Sequence, residues 1–207
     1  GVPQPAGLVL QFHGDGAYEF RNPTSSYSLG GSSGIVAQAR SRGYITVPVL
    51  SPDKSGSITW WEEGEANAVY VRDLLTHLKT THGIKNDDIW LVGYSGGAQF
   101  ITKFYLPAHS STISGGGAVV FGGGGTPRST RPFADSFRGD FPIHWYTGAL
   151  DDGTRSSDGY NALRDARRGK AWYAERGFVT SAEHPAGVAH GLSGRFGRVV
   201  AQQLDAH

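Results

Sequence analysis

Short apolar runs alternate with amphipathic stretches along most of the chain. Residues 7–12 carry Leu8, Val9, Leu10 and Phe12 and read as a buried strand, ended by His13-Gly14-Asp15-Gly16. Residues 34–42 form a short helical pattern. Residues 44–50 are rich in β-branched side chains and read as a strand that stops at Ser51-Pro52. The longest helical pattern covers 62–82. It places Ala66, Val69, Tyr70, Leu74, Leu75 and Leu78 on one broad face, with Gly83 as its stop. A strand at 89–92 (Ile89, Trp90, Leu91, Val92) precedes a helical pattern over 97–106, marked by Ala98, Phe100, Ile101, Phe104 and Tyr105. Strands follow at 117–121 and 141–146. Then come a helix over 159–176 closed by Gly177, a strand over 178–182 and a terminal helix over 195–204.

This alternation predicts an α/β fold, with a doubly wound, mainly parallel sheet covered by helices on both faces. In such sheets ligands gather beyond the carboxyl ends of the strands. The loops carrying His13, Ser95, Gly122, Asp151 and His190 all follow strands. They are expected to meet at one edge although they are far apart in sequence.

Composition narrows the function classes. The 207 residues suit a single domain, and no internal repeat or linker interrupts them. A net charge of +1 gives no electrostatic case for a nucleic-acid partner. The basic cluster Arg164, Arg167, Arg168 and Lys170 reads as a solvated helix face. No run is long and apolar enough to span a bilayer. Cysteine is absent, which excludes disulfides, thiolate metal sites and cysteine nucleophiles. The opening Gly1-Val2-Pro3-Gln4-Pro5 lacks methionine and resembles a processed terminus, so a secreted protein is expected.

The densest chemical signal is Gly93-Tyr94-Ser95-Gly96-Gly97, a G-x-S-x-G pattern between a strand and a helix. A sharp turn there pushes the serine hydroxyl out toward substrate, and the glycines permit the strained backbone and the close helix. A serine hydroxyl needs a base, and the base needs a carboxylate to hold its tautomer. The chain supplies both downstream in the order serine, acid, histidine. The acid is Asp151 or Asp152, with the other forming a turn. The base is His190, with His184 as its rival. Oxyanion donors are expected from the Gly96 N–H and from the loop after the first strand. Asp15 N–H is the first choice there, and Gly14 or Gly16 the fallback.

In these segments the chain resembles an α/β-hydrolase, similar to small secreted esterases of the polyhydroxybutyrate-depolymerase and feruloyl-esterase type. The resemblance rests on Leu10-Gln11-Phe12-His13-Gly14, on residues 89–98 around Ser95, on Gly148-Ala149-Leu150-Asp151 and on Gly187-Val188-Ala189-His190-Gly191. It implies Ser95 as nucleophile, Asp151 as acid through the Gly-x-x-Asp pattern, and His190 as base. The chain departs from the type in lacking disulfides and in being short before its first strand, which implies that the leading antiparallel strands are missing.

The remaining expectations concern the pocket. The stretch from Gly122 to about Asp140 is too short for a capping domain. A lidless, open and shallow site is therefore expected, suited to bulky or polymeric esters. Trp60 and Trp61 would form an aromatic wall beside Ser95, with His13 and Tyr94 as further substrate contacts and Tyr18 as a lesser one. Glu62 and Glu63 fit a helix N-terminus. The Gly122–Gly125 cluster lacks the Lys-Ser/Thr of a phosphate loop. Asp151, Asp152 and Asp158 lack EF-hand spacing. No metal or cofactor is expected. The expected activity is carboxylic-ester hydrolysis through an acyl-enzyme. An acyltransferase or peptidase would use the same residues, and a non-catalytic ligand-binding protein on the same fold is the alternative of a different class.

Overall fold

Strand β1 (Ala6–Phe12) is buried along its whole length, so its side chains must alternate between two apolar layers. Leu8, Leu10 and Phe12 enter one core, and Val9 enters the other. In this computed structural model, which describes residues 6–53, 56–127 and 133–207, the same two-residue alternation recurs in the neighbouring strands. Strand β2 (Tyr44–Val49) flanks β1 on one side, and β3 (Ile84–Tyr94) flanks it on the other. Strands β4 (Gly116–Phe121), β5 (Ile143–Tyr146) and β6 (Thr180–Glu183) follow outward from β3. The order is β2-β1-β3-β4-β5-β6, with every pairing parallel.

Parallel neighbours need crossovers, and the helices provide them. Helices α1 (Tyr18–Arg21) and α2 (Ile35–Arg40) lie between β1 and β2, and α3 (Gly64–His82) lies between β2 and β3. The segment after Ser95 begins as α4 (Gly96–Phe100), loosens into a π-turn at Ile101–Tyr105 and ends as α5 (Leu106–His109). Helices α6 (Asp135–Asp140), α7 (Ala162–Ala174) and α8 (Phe196–Ala206) complete the set. Helix α8 packs with α2 over Val9, Trp90, Val92, Val119 and Phe121. The opposite face holds the larger core, including Val71 and Leu75 of α3, Phe100, and Tyr173 of α7. Both faces are thus covered.

Three local readings change. Helix α3 buries Gly64, Asn67, Ala68, Val71, Leu75 and Leu78, whereas Val69 and Tyr70 are exposed. The apolar stripe is rotated because Asn67, a polar residue, faces inward and donates to the Trp60 carbonyl at 3.1 Å. Strand β3 starts five residues earlier than its apolar run, at Ile84. Its polar start is accommodated by a register shift against β1, and Asp88 accepts from the Tyr44 hydroxyl at 2.6 Å. The single turn α1 had no periodic signal to announce it. Residues 1–5, on which the export expectation rests, and 128–132, within the stretch judged too short for a lid, lie outside the described residues.

Candidate active site

Ser95 sits where β3 turns into α4, with φ 52° and ψ −112°. A non-glycine residue rarely occupies positive φ, so the surrounding contacts must hold it there. Its N–H donates to the Phe121 carbonyl at 2.8 Å, and its carbonyl accepts from Gln99 N–H at 3.0 Å. Two glycines make the turn possible. A Cβ on Gly93 would lie 2.5 Å from the Gly97 carbonyl oxygen, and one on Gly97 would lie 2.3 Å from that of Phe12. Helix and strands therefore approach as closely as bare backbone allows.

The carboxyl end of the sheet brings Asp151 and His190 to this serine. His190 Nε2 lies 3.0 Å from Ser95 Oγ, and His190 Nδ1 lies 2.7 Å from Asp151 Oδ2. An ionised carboxylate only accepts hydrogen bonds, so Nδ1 carries the proton and Nε2 presents its lone pair to the hydroxyl. Asp151 is almost fully buried in the loop after β5. Asp152 instead accepts from the N–H and hydroxyl of Thr154, forming its own turn. His184 contacts the Thr147 carbonyl at 3.1 Å, away from Ser95.

The loop after β1 supplies amides. Gly14 N–H donates to Glu19 Oε2 at 3.0 Å, and Gly16 N–H donates to the Ser57 carbonyl at 2.7 Å. Among the described residues Asp15 N–H and Gly96 N–H have no partner, and both border Ser95. Glu19 is buried, and desolvation raises its carboxyl pKa above the usual range. His13 anchors the same loop from below. Its Nδ1 meets the Gly14 carbonyl at 2.6 Å, and its Nε2 accepts from Ser51 N–H at 3.1 Å. Burial lowers the pKa of His13 and keeps it neutral.

Two recesses meet at Ser95. The larger, about 700 Å³, is lined by Asp15, Trp61, Gln99, the loop from Leu150 to Tyr160, and His190. The smaller, about 450 Å³, is lined by Tyr18, Glu19, Tyr27 and Tyr94. Asp15, Ser95 and His190 border both. The loop after β5 forms one wall of the larger recess, and both recesses are open to solvent.

Of the four expected substrate contacts, Trp61 and Tyr94 line these recesses. His13 and Trp60 do not, and the expectation for them is corrected. Both are fully buried, Trp60 against Phe12 and Phe100 at ring distances of 5.2 and 4.8 Å. At a helix entrance, adjacent residues point in different directions, so only one of the Trp60-Trp61 pair could face the cavity. Sequence reasoning missed Tyr160, Gln99, Tyr27 and Glu19. Gln99 carried a signal, since it lies one helical turn beyond Ser95. Tyr27 lies in a loop without periodicity and carried none. No group of three or more ligating side chains suited to a metal ion occurs among the described residues.

No protein-family model matches the chain, and no curated protein sequence does. Solved structures do. A Bacillus cereus carboxylesterase superposes with a TM-score of 0.72 at 15% identity, covering 100% of this chain and 91% of that one. SOBER1 of Arabidopsis thaliana gives 0.67 at 15% identity, covering 97% and 98%. A Mesorhizobium loti carboxylesterase gives 0.68 at 14% identity, covering 97% and 89%. The six-stranded parallel sheet, its helical layers and these neighbours together establish that the chain has the α/β-hydrolase fold.

Proposed function

We propose that the protein is a carboxylic-ester hydrolase that uses Ser95 as nucleophile, His190 as base and Asp151 as the acid that orients it. The observation that carries this reading is the continuous contact from Asp151 Oδ2 through His190 to Ser95 Oγ, at 2.7 and 3.0 Å. The strained Ser95 backbone and the carboxylesterases among the structural neighbours support it.

In this mechanism Ser95 Oγ attacks the ester carbonyl while its proton passes to His190 Nε2. The resulting imidazolium is stabilised by Asp151. The oxyanion is received by the N–H groups of Gly96 and Asp15. Collapse of the tetrahedral intermediate expels the alcohol, which takes the proton back from Nε2. A water deprotonated by His190 then attacks the acyl-enzyme, and the second tetrahedral intermediate collapses to release the acid as His190 Nε2–H returns its proton to Ser95 Oγ. The acyl and alcohol portions would occupy the two recesses that meet at Ser95, and the chemistry requires no cofactor.

The decisive experiment is hydrolysis of p-nitrophenyl esters by wild type and by Ser95→Ala. The substitution should remove at least about ten-thousandfold of kcat and leave the circular dichroism spectrum unchanged. Retained turnover would overturn the assignment. Labelling of the wild type by a fluorophosphonate separates an enzyme from a binding protein on the same fold.

A further inference from the structure

His190 stands on a loop with no regular structure, between Glu183, which ends β6, and Phe196, which begins α8. Gly187, Gly191 and Gly194 punctuate that loop. It is tied down at some distance from the imidazole. Leu150 N–H donates to the Val188 carbonyl at 2.8 Å, and Gly194 N–H donates to the Tyr27 carbonyl at 3.3 Å. Between these ties, the main chain of His190 has one hydrogen-bond partner among the described residues, the hydroxyl of Tyr94 at 2.9 Å from its carbonyl oxygen.

Tyr94 immediately precedes the nucleophile. Its ring lies against the His190 imidazole, with centroids 5.2 Å apart and planes inclined by 31°, and meets Phe196 edge-on. Its hydroxyl accepts from Tyr27 at 3.3 Å. The Tyr94 proton is thus spent on His190, and one acceptor position is spent on Tyr27. Gly122 backs the other side of the pair: a Cβ placed there would lie 3.2 Å from both His190 Cε1 and Tyr94 Cε2.

We propose that Tyr94 is a positioning residue. It clamps the His190 loop to the strand that carries Ser95, so that the distance from Nε2 to Oγ is set through the neighbour of the nucleophile. This role, rather than hydrogen bonding to substrate, accounts for its hydroxyl. Without that bond the His190 main chain would be held only through its flanks, Val188 and the buried Leu192, and a base displaced by a fraction of an ångström transfers its proton less efficiently. The inference rests on the proposed roles of Ser95 and His190.

Tyr94→Phe tests it, because the ring packing stays and only the clamp is lost. For a small p-nitrophenyl ester, kcat should fall about tenfold while KM stays within about twofold, as for an interaction that acts on the transition state alone. The downfield proton resonance of His190 Nδ1–H, shared with Asp151, should broaden or vanish. Tyr44→Phe serves as the control. It removes a tyrosine hydroxyl that donates to Asp88, at the amino end of the sheet and outside both recesses, so kcat should stay within about twofold of wild type. An unchanged kcat, or a raised KM at unchanged kcat, in Tyr94→Phe would overturn the proposal. So would a resonance identical to that of the wild type. The resonance also separates the two readings. A protein that hydrolyses no ester but loses the signal in Tyr94→Phe retains the clamp and fails the esterase reading. Normal ester turnover in both proteins does the reverse.

Discussion

The indole N–H of Trp61 donates to both carboxylate oxygens of Asp15, at 3.2 and 3.1 Å. This contact fixes the ring as a wall of the larger recess and turns the carboxylate toward Gly96. Burial raises the carboxyl pKa of Asp15, and the Trp61 bond opposes that rise.

The proposed oxyanion role belongs to the Asp15 main chain. Asp15→Asn and Asp15→Ala should therefore keep kcat for a small ester within about tenfold of wild type, whereas losing an oxyanion donor itself costs about a hundredfold or more. Steady-state kinetics on p-nitrophenyl acetate checks this. A thousandfold loss in Asp15→Ala would move the catalytic weight to the carboxylate. Trp61→Phe, which replaces the indole by a smaller ring and removes the donor to Asp15, should raise KM for bulky esters more than for acetate.

The two adjacent aspartates should separate cleanly. Asp151→Asn is expected to lower kcat about ten-thousandfold, since the amide favours the wrong imidazole tautomer. Asp152→Asn only weakens an exposed turn contact in which Oδ1 accepts from Thr154, and should leave kcat within about twofold. Comparable losses in the two variants would contradict the assignment of roles.

His13 gives the loop after β1 a dependence on pH. Burial depresses its folded-state pKa below the ordinary histidine value of 6.5. Between those two values the unfolded chain binds the extra proton and the folded chain does not, so stability rises with pH there. The contribution is complete above about pH 6.5 and is lost as pH falls toward the folded pKa. Protonation would also aim an Nε2–H at the Ser51 N–H it now accepts from. In urea titrations from pH 5 to 8, wild type should lose stability on acidification relative to His13→Asn, which does not titrate. Parallel curves for the two proteins would exclude this origin.

The backbone of Ser95 stores strain that glycine would not. Strain of this kind costs on the order of 1–3 kcal/mol, and glycine occupies positive φ readily. Ser95→Gly and Ser95→Ala should both be inactive, but the glycine variant should melt higher. An equal or lower Tm for Ser95→Gly would show that the turn is not strained as its φ of 52° implies.

The apolar pattern determined the order of strands and helices and hence the parallel sheet. Leu8 to Phe12, Ile89 to Val92 and Val119 to Phe121 are buried on both faces, and such strands announce themselves as unbroken runs. The pattern also placed Ser95, Asp151 and His190 after strands, which in a parallel sheet is enough to bring them to one edge. What local sequence could not decide was direction and partner. Whether Asp151 or Asp152 reached His190, whether Trp60 or Trp61 faced the cavity, and where the Tyr94 hydroxyl pointed depended on residues 39, 46 and 96 positions away. Such contacts are absent from any window of neighbouring residues. They exist only once the sheet has brought its strand ends together and each polar group has competed for the few partners within reach.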